Sequence, residues 1–164
     1  MDAMTWGFIG TVVGATASIA TTAITNWNTF KISQSTKIQD REERARVFQR
    51  ETLLELQIEI RKYILACSRS YRSKMKIYDL TCEWKEHIPE NLDEQIFELN
   101  SKTSILIQRV SNDKLRSKLD ELQTAAIKCN RSQNECEAEK HHVTYLDIYE
   151  KVHEQLGYEL RSSY

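Results

Sequence analysis

The stretch Leu53–Cys82, LLELQIEIRKYILACSRSYRSKMKIYDLTC, decides the fold of this 164-residue chain. Leu53, Leu56, Ile60, Ile64, Cys67, Tyr71, Met75, Tyr78 and Cys82 recur at steps of three and four, which line one side of an α-helix. A long helix is predicted from about Lys37 to Glu86. His87-Ile88-Pro89 should end it, because the residue before a proline avoids the α region.

The far side of the same helix is unusual. An arc of about 100° holds Arg61, Lys62, Arg69, Arg72 and Lys76, and the same arc holds Val47, Leu54, Ile58 and Leu65. A solvated face has no use for four aliphatics in line with arginines. A helix apolar on two sides is usually covered by two partners, here either another subunit or another helix of the bundle. Charge is also segregated. Ile60 to Tyr78 carries six basic residues and no acidic one, whereas Glu83 to Glu98 carries six acidic residues and one lysine.

Further helices follow. Asn91 with Glu94 has the form of a capping box, and Leu92, Ile96, Leu99, Leu106 and Val110 share a face broken by Thr103. Asn112 is placed to cap a helix carrying Leu115, Leu119, Leu122, Ala126 and Cys129. Asn130–Asn134 reads as a polar turn, and Tyr145, Leu146, Tyr149, Val152, Leu156 and Leu160 mark a last helix. Short connections favour antiparallel neighbours, so the expected fold is all-α, an antiparallel helical bundle. No glycine lies between Gly14 and Gly157, and Pro89 is the sole proline. That argues against tight-turned sheets and removes the glycine-rich loops of nucleotide folds.

On the amino-terminal side, Ala3 to Phe30 contains no charged residue. Its length matches the roughly 20 residues a spanning helix needs. Trp6 and Trp27 would sit about 31 Å apart on such a helix, one at each interface. Residues 1–30 are therefore expected to be a transmembrane anchor, 31–36 a connector that is still able to be helical, and 37–164 a cytoplasmic helical domain. Lys31, Lys37, Arg41, Arg44, Arg46 and Arg50 follow the segment and no basic residue precedes it, which implies a single pass with the N-terminus outside and the C-terminal domain cytoplasmic. Gly7, Gly10, Gly14, Ala17, Thr21 and Thr25 form a stripe of small residues suited to close helix packing, so the anchor is expected to self-associate.

Two readings of the basic arc stay open. Arginine forks match phosphate oxygens, so Arg61, Lys62, Arg69, Arg72 and Lys76 are the candidate ligand-binding residues; otherwise the arc is a solvated face paired with acids elsewhere. Cys129, Cys136, His141 and His142 do not have zinc spacing, so no metal and no cofactor are expected. The four cysteines are too scattered for a disulfide framework and read as small packing residues, reduced in a cytoplasmic domain. No nucleophile, base and orienting group can be assembled from spacing, so no catalytic residue is assigned and the chain does not read as an enzyme.

The layout, Trp6-Gly-Phe-Ile-Gly through Trp27 followed by a small helical domain, resembles the membrane-anchored type III CRISPR ancillary effector family that senses cyclic tetra-adenylate. The resemblance covers the whole chain, rests on architecture and carries over no binding residue. It implies an oligomeric antiviral defence protein, partnered by the lipid bilayer, by itself and by cyclic tetra-adenylate, with no duplex nucleic acid expected. It also implies a bacterial inner-membrane location, where binding a cyclic oligoadenylate makes the spans perturb the membrane. The alternative is a membrane-anchored helical scaffold or accessory subunit that recruits another protein.

Overall fold

A computed structural model describes residues 3–84 and 89–162, with side chains from residue 9 onward. The described residues form four helices, α1 (Ala3–Thr81), α2 (Glu90–Gln108), α3 (Asp113–Asn130) and α4 (Glu135–Ser162). The chain divides into two compact units, Met1–Ala45 and Arg46–Tyr164.

The first unit corrects the expected anchor. Among the described residues no helix is long and apolar enough to cross a membrane. The physical reason is that Ala3–Phe30 is uncharged without being strongly apolar. It has no leucine, and glycine, alanine, serine, threonine and asparagine fill most of it. Within the helix the threonines turn their hydroxyls onto their own backbone. Thr21 donates to the Ala17 carbonyl at 2.9 Å, Thr25 to Thr21 at 2.8 Å and Thr29 to Thr25 at 2.9 Å. With the span go the transmembrane packing role of Gly7, Gly10, Gly14, Ala17 and Thr21, the interface-anchor role of Trp6 and Trp27, and the single-pass inner-membrane location. The side chain of Trp6 and the surroundings of Gly7 lie outside the described residues. A Cβ built on Gly10 or Gly14 meets nothing within 4 Å among the described residues, so no close approach within the chain itself requires glycine there. Residues 31–36 are helical and continuous with the rest of α1.

The second unit is the expected bundle, and its polar contacts establish the helix directions. Near the start of this unit Gln49 donates to the Arg109 carbonyl at 2.6 Å and accepts from the Ser111 amide at 2.9 Å, so α2 ends where this part of α1 begins. Near the other end, Lys74 reaches the Asn130 carbonyl and Trp84 Nε1 donates to the Ser132 carbonyl at 2.9 Å, so α3 runs with α1. Asn112, before α3, donates to Glu159 near the end of α4 at 2.6 Å. Up, down, up, down is the order.

The core follows the helical stripes. Leu53, Leu56, Ile60, Ile64 and Cys67 of α1 are buried, with Leu115, Leu119, Leu122, Ala126 and Cys129 of α3 and Tyr145, Val152, Leu156 and Leu160 of α4. Each such leucine or isoleucine contributes about 1.5–3 kcal/mol. The buried side of α1 is wider than its sequence stripe, because helices flank it on two sides. A second row, Thr52, Glu59, Tyr63, Ala66, Ser70 and Lys74, is also buried. Beyond Cys67 the stripe emerges. Tyr71, Met75 and Tyr78 are half-buried and Cys82 is exposed, since α3 ends at Asn130, level with Lys74.

Helix ends conform in part. Asn112 caps α3 as its spacing predicts, accepting from the Lys114 amide at 3.0 Å and the Leu115 amide at 3.1 Å. The capping box at Asn91 does not form. Helix α2 starts at Glu90 with Pro89 at the cap position and no side-chain cap bond. Helix α1 ends at Thr81 rather than Glu86, with Cys82 at φ 53°, a left-handed turn residue whose amide bonds the Tyr78 carbonyl at 2.7 Å. The predicted stop at His87-Ile88 lies outside the described residues.

Candidate interaction face

The part of α1 that borders the core on one side is bare on the other. Leu54, Ile58 and Leu65 are 43%, 56% and 45% exposed, although each is an aliphatic side chain on a helix with a complete core beneath it. Arg61, Lys62, Arg69, Arg72 and Lys76 are exposed on the same side. All eight share the arc expected from the helical period, and Val47 at its start is half-buried. No other helix of the bundle covers them, so the choice between two kinds of second partner, which periodicity leaves open, falls against a helix of this bundle.

The edges of the face are defined by contacts with neighbouring helices. On one edge lies α4. Arg61 acts electrostatically on Tyr149, whose phenol is nevertheless held above its ordinary range by burial. His142 stacks on Tyr71 at 4.0 Å between ring centroids, and burial, helped by the nearby Arg72, holds its imidazole below the ordinary value. On the other edge lies α2. Lys62 bonds the buried Glu59 at 2.8 Å, Lys102 of α2 approaches it at 3.2 Å, and Lys102 also lies 3.8 Å from Glu55. The bond from Lys62, with that from Lys102, keeps the Glu59 carboxyl below its usual range despite burial.

The sixth basic residue of the acid-free stretch behaves differently. Lys74 is buried, donates to the Asn130 carbonyl at 2.6 Å and sits 6.0 Å from the Trp84 ring centre. Its position among the core-side residues of the helix already separates it from the other five.

The five exposed cations are spread over 15 residues of one helix, about 22 Å. They do not converge on a hollow. None of them lines any of four grooves found on the surface of the described residues. One of these, about 620 Å³, is lined by Tyr63 and by Glu90, Asp93, Glu94 and Phe97 of α2, a lining the basic arc gave no reason to expect.

Two of the four thiols, Cys67 and Cys129, lie near one another in the core, close enough to interact electrostatically. Cys67 and Cys129 are buried, and burial pushes their thiols up to about 11 and about 12. Asn130 donates to the Cys67 sulfur at 3.4 Å, while Cys82 and Cys136 are exposed. Among the described residues no group of three His, Cys, Asp or Glu side chains is placed to hold a metal ion.

No protein-family model, no curated protein and no solved structure matches the chain.

Proposed function

We propose that this chain is a helical scaffold or accessory protein, without catalysis of its own, that acts by association through the outward face of α1. One observation carries the reading. Leu54, Ile58 and Leu65 stand in water, in register with Arg61, Arg69 and Arg72, on a bundle whose core is already filled. Covering each aliphatic would be worth up to about 1.5–3 kcal/mol. Arginine beside apolar anchors is a composition favoured at protein interfaces.

The competing reading assigns the same five cations to an anionic messenger such as cyclic tetra-adenylate. Small ligands bind in hollows that take most of their surface out of water. The five cations lie along a ridge and line none of the four grooves, which favours association with a macromolecule.

A photo-crosslinking residue in place of Ile58 or Leu65, in the full chain within its native cells, should give discrete protein adducts. The same residue at Lys118, exposed on α3, should give none. Absence of adducts at both 58 and 65 would reject the association reading. Saturable binding of cyclic tetra-adenylate, lost with Arg69→Glu plus Arg72→Glu, would replace it with the messenger reading.

A further inference from the structure

We infer that the outward face of α1 docks against the same face of a second copy of this chain, with the two helices antiparallel about a two-fold axis near Ile58. The inference rests on the association reading above and names its partner.

The face carries its own complement. Glu51 and Glu55, both exposed, stand at its start, and Arg61, Lys62 and Arg69, also exposed, stand towards its end. Leu54, Ile58 and Leu65 are interleaved between these charges. A two-fold interface brings one patch onto itself, so residue i of one copy meets residue j of the other and the reverse. With the axis near Ile58, the numbers of facing residues sum to about 116 on helices of 3.6 residues per turn. Glu55 then faces Arg61, and Glu51 faces Leu65 between Lys62 and Arg69. Ile58 then meets its counterpart at the axis, and Leu54 of each copy comes opposite Lys62, about one helical turn from both Ile58 and Leu65 of the other.

Charge also selects the direction. A parallel pairing in register sets Arg61 and Arg69 against themselves and Glu51 against itself. Like charges facing one another across an interface act against that arrangement, whereas the antiparallel one joins opposite signs at both ends. The central aliphatics supply the attraction, and the flanking charges set register and direction.

The test uses the full chain. Sedimentation equilibrium should show a dimer, Ile58→Asp should yield a monomer with unchanged helix content, and Arg61→Glu plus Arg69→Glu should weaken dimerisation by about tenfold or more. Adding Glu51→Arg plus Glu55→Arg to that charge-reversed chain should restore it, which a folding defect could not do. With Cys82→Ser and Cys136→Ser as background, oxidation of Ile58→Cys should give a covalent dimer and Arg72→Cys should not. A monomer at every concentration overturns the inference, as does a dimer unaffected by Ile58→Asp, failure of the reversed charges to restore pairing, or equal crosslinking at 58 and 72. A monomer that nevertheless forms photo-adducts with a different protein at position 58 removes the second copy and leaves the association reading standing. No adduct at all removes both.

Discussion

The ammonium of Lys74 donates a 2.6 Å hydrogen bond to the backbone carbonyl of Asn130, the last residue of α3, across 56 positions of sequence. The carbonyls at a helix end lack partners within the helix and carry the negative end of its dipole, so a buried cation is well placed there. The contact fixes the end of α3 against α1, and Asn130 in turn donates to the Cys67 sulfur about two helical turns earlier. It explains how a lysine can be almost wholly buried among six basic residues whose other members all face water.

Lys74→Met keeps much of the side-chain bulk and removes the charge-assisted bond. It should cost about 1.5–3 kcal/mol in denaturant unfolding. Lys76→Met, two residues away and exposed, should stay within about 0.5 kcal/mol. Equal effects would mean that Lys74 is not held against α3.

Gly10 and Gly14 lie in the helix with open space where a Cβ would go. Gly10→Ala plus Gly14→Ala should therefore raise helicity by circular dichroism, each by up to about 1 kcal/mol of helix stability. A loss of helicity or of assembly would show that the small-residue stripe is a packing surface.

Acid should act through Glu59. Its folded-state pKa lies below the ordinary value of 4.5, chiefly because Lys62 bonds its carboxylate. A lowered carboxylate stabilises the fold above that ordinary value, and this contribution is lost as pH falls through the folded one. Melting temperature should thus drop on acidification below pH 4.5, and Glu59→Gln should flatten that limb of the profile. His142 works in the same direction at higher pH. Burial lowers its pKa from 6.5, so stability present above 6.5 declines as pH falls through the folded value, and His142→Phe should remove that decline while keeping a ring on Tyr71.

Thiol labelling under native conditions should modify Cys82 and Cys136 and spare Cys67 and Cys129. The first pair is exposed; burial raises the second pair to about 11 and about 12, which leaves almost no thiolate near neutrality. Labelling of all four at one rate would contradict the bundle packing of α1 against α3.

Much of the bundle was legible in the residues themselves. Asn112 announces its helix through a side chain that reaches only local amides, and Leu115, Leu119 and Leu122 repeat at the period of one helix. The exposed set Leu54, Ile58, Leu65 with the five cations was legible for the same reason. Ala3–Phe30 misled because absence of charge is not the same as apolarity, and a segment with no leucine and many threonines, alanines and glycines is only weakly apolar. Tyr63 and Ala66 escaped notice because flanking helices make the buried side of α1 wider than its sequence stripe; Lys74 lies beside that stripe by spacing, but its burial against Asn130 depends on α3.

The sequence alone determined that this protein is helical, where α3 begins, and which residues share each side of α1, because periodicity and capping act within a few residues along the chain. The tertiary structure decided which of those sides is covered. Burial depends on neighbours brought together over 50 residues or more, as with Lys74 and Asn130. Only their placement turned Lys74 inward and left Leu54, Ile58 and Leu65 uncovered.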